Sequence, residues 1–415
     1  MVNALICLVG IAVLFAAALA LSLDRARINW RTVGLAFALQ FLLAGIILYF
    51  PPGVALLEQA SLAVGAVLGY AREGIEFMFG DAGTGKLGFI FAFQVLPSII
   101  FMSSLISVLY YTGIMQWIVR LIGGSLSRLL GTTAPESLSA AANIFIGQTE
   151  APISIRPFLA GMTRSELFAV MVGGMATVAG SAMAGYAAIG IELKYLIAAS
   201  FMAAPGALAM AKLTVPETDT PKADVTATAA FEDDAAGDEP PVNLIDAAAK
   251  GASSGLLLAV NVGAMLVAFI ALIALVNGGI GWLTSLVGIE GITIEYLLGL
   301  LFSPIAWLLG VPWAEVQVAG SYIGQKLVLN EFVAYLDFVA NRDTMATHTQ
   351  AVVIFALCGF ANFASIAILL GGLGMMAPSR RPEIARLGVR ALIAATLANL
   401  MSAAIASFFL HLGAL

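Results

Sequence analysis

The sequence predicts an all-α polytopic membrane protein with eight transmembrane helices, two re-entrant hairpins of inverted topology and some interfacial helices. Three observations carry this. First, 61% of the 415 residues are hydrophobic and only 11% are charged, where a soluble domain averages about 25% charged; the mean hydropathy is +0.99. Second, apolar runs near the ~20 residues that a bilayer core requires recur along the chain. Third, two polar stretches interrupt those runs at corresponding places in the two halves.

The elements follow in order. The first span is expected at 3–22. It has no basic leading region and is long for a signal peptide, so it reads as a helix that stays. The second span is 33–51. Residues 53–80 mix Glu58, Arg72, Glu73 and Glu76 with apolar groups and are expected along the interface or packed on the bundle. The third span is 87–112. Residues 114–130, punctuated by Trp117, Arg120 and Arg128, again read as interfacial. A hairpin is expected at 134–160, a fourth span at 165–190 and a fifth at 193–211. Residues 213–243 are acidic, poor in large apolar groups and unable to order themselves, so they read as a linker. The sixth span is 254–277, an apolar piece with Pro304 lies at 294–310, and a second hairpin occupies 312–340. The seventh and eighth spans are 350–372 and 388–412.

With the amino terminus outside, fourteen of the nineteen Lys and Arg fall in inner loops. That matches the bias of basic residues toward the cytoplasm. Both termini are then expected outside and the acidic linker inside. The net charge of -6 implies no nucleic-acid partner. Cys7 and Cys358 lie in separate apolar segments and read as buried free thiols.

The chemistry concentrates at residues 143–152. Asn143, Gln148, Thr149 and Glu150 interrupt Ala, Ile and Phe, with Gly147 and Pro152 bracketing the densest polar run. Glycine loosens a helix and proline removes a donor, so the helix breaks here. Broken backbone at membrane depth is tolerated only where it lines a cavity or is buried in protein. An ionisable residue there marks a functional site. The stretch is expected to be a re-entrant tip that holds a substrate. It precedes a helix with a small-residue middle, from Gly173 to Gly185. In the second half, Asn330 and Glu331 precede a helix interrupted by Gly359, Asn362 and Ser365. Paired interruptions of this kind point to the binding site of a transporter with inverted repeats.

Blander readings exist for each. Glu150 suits a solvated helix end, and Lys326 and Arg342 make the surroundings of Glu331 polar. Asn362 and Ser365, three apart, suit interhelical hydrogen bonding. Small residues in membrane helices often serve close packing alone. Residues 80–86 mimic a phosphate loop, but Leu87 stands where Ser or Thr is needed and no strand precedes it. His348 and His411 stand alone, with no spacing suited to a metal. No nucleophile–base arrangement is visible. The residues themselves leave open an ion-coupled carrier of some small neutral solute, a channel or a membrane enzyme, and inverted hairpins without a ring of pore charges disfavour the channel.

The run from Ala141 to Pro152, with 330–335 and 358–366, resembles the concentrative nucleoside transporters, specifically a bacterial member. The resemblance covers essentially the whole chain. It implies a non-enzymatic, sodium-coupled symporter of nucleosides in the bacterial inner membrane, working as a homotrimer by an elevator motion, with membrane lipid around it and no organic cofactor. By matching positions it implies that Gln148, Thr149 and Glu150 meet the nucleobase, with Ala182 near it. Glu331, Asn362 and Ser365 would take the ribose hydroxyls, with Phe360 close by. Sodium would be held by Asn143, Thr177 and the carbonyls of Ile146 and Val178. Thr177 stands where close relatives often have Ser, and Ala182 where Val is expected. Residues 1–112 would be scaffold, 113–212 the first repeat of a transport domain, 213–243 the linker, 244–290 a scaffold helix, and 291–415 the second repeat with the last helix. The bottom-up chemistry agrees with a neutral, donor- and acceptor-rich cargo, because neither polar motif holds Lys or Arg. A carrier of anions would want cations or helix amino termini there. Proton in place of sodium remains the alternative coupling.

Overall fold

The computed structural model describes residues 2–221, 241–286 and 288–413. The chain opens with α1 (Val2–Ala20), α2 (Trp30–Leu48), α3 (Pro51–Gly69) and α4 (Ala71–Phe79). Short helices α5 (Asp81–Thr84) and α6 (Phe91–Gln94) lead into α7 (Leu96–Tyr111) and α8 (Ile114–Leu130). Then come α9 (Ala134–Ala142), α10 (Arg156–Leu159), α11 (Arg164–Ala176), α12 (Gly180–Ala188) and α13 (Leu193–Thr214). The second half holds α14 (Leu244–Ser285), α15 (Ile294–Leu308), α16 (Val316–Val328), α17 (Glu331–Asn341), α18 (Thr347–Leu357), α19 (Phe363–Met376) and α20 (Arg381–Gly413).

Local chemistry sets the boundaries that matter. Thr133 with Glu136 and Thr163 with Glu166 form capping boxes that start α9 and α11. Asn330 and Asn362 cap α17 and α19 through their side-chain oxygens. The expected breaks are present. The path α11–α12 is interrupted at 177–179, and α18–α19 at 358–362. Glycines let the broken ends approach. A Cβ on Gly359 would stand 2.7 Å from the Ala176 carbonyl oxygen and against the Asn399 amide, so this crossing admits no larger residue.

The centre of the protein is α11, α13, α18 and α20, which pack on one another. Their shared faces are rich in alanine, such as Ala198, Ala204, Ala207, Ala395 and Ala398, all buried. Small residues permit this closeness where lipid supplies little hydrophobic drive. The same device joins α14 to α7. Gly251 and Gly255 sit against Ser103, Ser104 and Ile100, while Ser104 and Ser107 donate to the carbonyls of Ala248 and Ala247. By contrast α3 and α14 turn large apolar groups such as Leu56, Leu62, Val267 and Leu275 outward.

Among the described residues eight helices are long and apolar enough to cross a membrane, but they are not the expected eight. Pro51–Phe79 qualifies, where 53–80 was expected to lie along an interface or packed on the bundle. The segment expected as the seventh span, 350–372, is split by its break into two shorter pieces. The sixth expected span is longer than 254–277: α14 has 42 residues, about 63 Å at 1.5 Å per residue. Likewise α20 starts at Arg381 rather than 388. The linker begins later than 213. Leu213, Thr214 and Val215 are buried, and the Thr214 carbonyl accepts from the Leu23 backbone. Residues 222–240 of that linker lie outside the described residues.

Candidate substrate and ion site

Both hairpins and both helix breaks meet around one cavity of about 580 Å³. The first hairpin reaches it by ending α9 early. Asn143 caps the helix, and 143–150 run on as irregular turns before a 3₁₀ segment at Ala151–Ile155. The tip is pinned to the first break, where the Gly180 backbone donates to the Phe145 carbonyl at 2.8 Å. It also lies on α11, since a Cβ on Gly174 would meet the Gln148 Cβ at 2.8 Å. The second hairpin turns tightly at Leu329 and Asn330. The two breaks touch directly, with the Phe360 backbone donating to the Thr177 carbonyl at 3.1 Å.

All eight residues expected to contact substrate line this cavity: Gln148, Thr149, Glu150, Ala182, Glu331, Phe360, Asn362 and Ser365. They arrive from four separate elements, and several bond one another. Asn362 Nδ2 donates to Glu331 Oε2 at 3.0 Å. Gln148 Nε2 donates to Ser365 Oγ at 3.3 Å, joining the two halves. Ser365 Oγ in turn donates to the Phe360 carbonyl. Gln148 Oε1 is buried and, among the described residues, has no partner. Glu150 is exposed, and what it is exposed to is the cavity; one of its oxygens accepts from the Gly147 backbone at 3.4 Å. Glu331 is 4% exposed, so the reading of it as a solvated charge fails. Lys326, which was expected to make that neighbourhood wet, is 2% exposed.

The expected ion ligands Asn143, Ile146, Thr177 and Val178 are all buried beside the first break. Asn143 Nδ2 donates to the Ser139 carbonyl, and among the described residues Asn143 Oδ1 is buried without a partner, as is Ser139 Oγ nearby. Buried oxygens of this kind are costly unless something meets them. Oxygen-only ligands suit a hard cation such as sodium. Thr177 Oγ1 donates to the Gly173 carbonyl at 2.8 Å, the back-bond common for membrane Thr. That uses its proton and leaves its lone pairs for a cation.

Several residues at the site escaped the sequence reading. Tyr186 donates to Glu331 Oε1 at 2.9 Å and lies 4.5 Å, centroid to centroid, from Phe332. It orients the carboxylate from α12. Asn261, Met265 and Ser254 of α14 line the cavity too. Asn261 is one of two amides, with Asn277, in an apolar helix, the signal that could have found it. Asn399 of α20 joins the breaks, donating to the Ala176 and Cys358 carbonyls at 2.6 and 3.0 Å. At the base of the first hairpin, Lys212 pairs with Glu136 at 2.7 Å and with Glu217 at 3.5 Å.

Two further readings are decided here. Cys7 and Cys358 are buried free thiols, as expected. His348 and His411 are not alone: their rings stack with centroids 3.7 Å apart, because α18 and α20 run together. Among the described residues no group of His, Cys, Asp or Glu is arranged to hold a metal. A larger cavity, about 980 Å³, lies between α3, α4 and the end of α12, away from the polar set.

Family models match three parts of the chain. "Na+ dependent nucleoside transporter N-terminus" matches 9–82, "Nucleoside recognition" matches 92–192, and "Na+ dependent nucleoside transporter C-terminus" matches 195–407. A nucleoside permease of Helicobacter pylori is 45% identical over 427 residues, covering 99% of each chain. The human sodium/nucleoside cotransporter 1 is 39% identical over 419 residues, covering 97% of this chain and 63% of the human protein. Among solved structures, the transporter CNTnw in an inward-facing substrate-bound state is 51% identical, with a TM-score of 0.93 and 99% of each chain covered. A double variant of the same transporter in an outward-facing state superposes with a TM-score of 0.94 at 50% identity.

Proposed function

The chain belongs to the concentrative nucleoside transporter family, and we propose that it is a sodium-coupled nucleoside symporter of the bacterial inner membrane. The observation that carries this is the cavity. Amide, hydroxyl and carboxylate groups from both hairpins, the start of α12 and the second break face it, and among the described residues no Lys or Arg does. A neutral solute with many donors and acceptors fits such a lining, whereas an anion would leave its charge unmatched. In this reading Gln148, Thr149 and Glu150 hold the base, and Glu331, Asn362 and Ser365 hold the ribose. Ala182 and Phe360 shape the walls. Glu331 accepts from Tyr186 and Asn362 already, so its geometry is set before substrate enters.

Sodium enters as cargo beside the first break, between Asn143, Thr177 and the carbonyls of Ile146 and Val178. It would order the tip that presents Gln148 and Glu150, which links ion and nucleoside binding. Linkage of that kind is reciprocal. The relatives solved in inward- and outward-facing states support alternating access. An elevator fits the packing here. The broken helices α11, α18 and α19 pack on α20, the second hairpin packs on α18, and α14 presents a wall of the cavity from the side of α7. The outward apolar faces suit lipid and the neighbours of a homotrimer, and the charge bias supports termini outside.

The test is uptake of uridine and adenosine into proteoliposomes, with and without an inward sodium gradient. Sodium-driven accumulation is the expected result. Accumulation driven by a pH gradient and indifferent to sodium would replace the ion with a proton. Uptake of an amino acid in preference to nucleosides would remove the substrate assignment.

A further inference from the structure

A helix broken inside a membrane protein exposes a carboxyl-terminal end, whose last carbonyls carry partial negative charge and lack intrahelical donors. This protein has two such ends side by side, those of α11 and α18. At α11 the Ala176 carbonyl receives Asn399 Nδ2, and the Thr177 carbonyl receives the Phe360 backbone. The buried oxygens Asn143 Oδ1 and Ser139 Oγ stand beside it, with no partner among the described residues.

At α18 side chains of the second hairpin meet the last carbonyls. Lys326 extends from the last turn of α16, the first arm of the second hairpin. Its ammonium donates to the Ala356 carbonyl at 2.8 Å and to Asn399 Oδ1 at 2.7 Å. Asn399 passes its amide hydrogens to the Cys358 and Ala176 carbonyls. The Ile354 carbonyl receives the Tyr335 hydroxyl at 3.0 Å. Inverted repetition makes these two places counterparts, each where the first arm of a hairpin meets the end of a helix before its break. Neutral oxygens stand in the first and an ammonium in the second.

We propose that the Lys326 ammonium is a resident cation filling, in the second repeat, the place the transported ion takes in the first, so that one nucleoside moves with one ion. This rests on the sodium-coupling reading above. Lys326 is then a positioning residue. It completes the end of α18 permanently, and through Asn399 it holds the first break ready for an exchangeable ion. A lysine cannot leave, so the second repeat contributes no ion to the stoichiometry.

The experiment measures sodium dependence and charge moved per uridine, from reversal potentials, in proteoliposomes. The wild type is expected to move one charge per uridine with a sodium Hill coefficient of about 1. Lys326→Ser removes the ammonium and leaves room against the Ala356 carbonyl and Asn399. Its uptake should fall at least about tenfold at low sodium and return at high sodium, with a Hill coefficient approaching about 2. Lys326→Met removes the charge and fills the space, so its uptake should be lost at every sodium concentration. Two charges per uridine in the wild type would overturn the proposal even if no variant folds. So would a Lys326→Ser protein whose sodium curve overlays the wild type. A wild type indifferent to sodium is a separate result, which removes the coupling reading and this proposal with it.

Discussion

The first hairpin turns over eight irregular residues, 143–150, while the second turns over Leu329 and Asn330 alone. The two tips share a cavity, yet their polar groups are in different states. Around the first, Ser139 Oγ, Asn143 Oδ1 and Gln148 Oε1 are buried without partners among the described residues. Around the second, Lys326, Asn330, Glu331, Asn362 and Ser365 all have hydrogen bonds within the protein. A long irregular tip spreads oxygens that its own backbone cannot satisfy, so it is built to take guests. A tight tip, capped by Asn330 and anchored by Lys326, is built to hold its shape. In the proposed reading the second half is a fixed wall carrying Glu331, and the first is the responsive side.

Changes at the fixed wall should cost most, because they strand buried groups as well as removing a contact. Glu331→Ala leaves the Tyr186 hydroxyl and Asn362 Nδ2 without their acceptor. Each such loss costs about 1–3 kcal/mol of stability, and the missing charged acceptor, worth up to about 3 kcal/mol to the bound ribose, should lower uridine affinity by about 100-fold. Titration calorimetry on the purified protein measures it. Ribose-deoxy analogues should lose affinity in the wild type and lose less in the variant, since groups that touch are non-additive. Penalties that simply add would place the sugar elsewhere.

Glu150→Gln comes next. Glu150 holds a single long hydrogen bond, to the Gly147 backbone, so little of the protein is disturbed when its charge goes. A charged partner is worth about 1.5–3 kcal/mol, which predicts about 10- to 100-fold weaker nucleoside binding. The protein should still reach the membrane and purify normally. Wild-type affinity in this variant would take Glu150 out of the site.

Thr177→Val probes the responsive side directly. It removes one oxygen and the back-bond to Gly173 while nearly keeping shape. The sodium concentration for half-maximal uptake should rise about 5- to 30-fold, equivalent to about 1–2 kcal/mol. Nucleoside affinity should recover at high sodium, as reciprocal coupling requires. A sodium curve unchanged from wild type would mean that Thr177 serves only its own helix.

The smallest effect is expected at the wall between the tips. Ala182 is 2% exposed and lines the cavity from α12. Ala182→Val adds bulk to a tight face, costing about 1 kcal/mol, or about fivefold in affinity. The loss should be greater for adenosine than for uridine, read by competition in uptake. Equal losses for both would place Ala182 away from the base.

Much of this was legible in the residues. Bilayer-length apolar runs need no tertiary context to be read, because the lipid itself imposes the length. The breaks were legible as well, since Gly, Pro and clustered polar groups interrupt a helix through local backbone chemistry. The polar residues of 143–150, Glu331, Asn362 and Ser365 stood out because their surroundings are so apolar that each is a cost to be explained. What the residues could not show was whom each one meets. Lys326 and Arg342 looked alike as charges near Glu331, yet Lys326 is buried against Ala356 and Asn399, and Arg342 reaches the Gly190 carbonyl at an exposed position. His348 and His411 looked solitary and are stacked. Tyr186 drew no notice in the sequence and orients Glu331. The length of α14 was underestimated, because charged and small residues at its start hid a continuous helix.

The reason is the range of the forces. Burial in lipid, glycine freedom and proline's missing donor act on neighbours along the chain, so composition and order determine spans and breaks. Pairing across 73 positions, as between Lys326 and Asn399, or across 145, as between Tyr186 and Glu331, leaves no periodic trace in either segment. Only the packing of α11, α13, α18 and α20 brings the two breaks into contact, and that contact decides which buried oxygens are met inside the protein and which stand open to a guest.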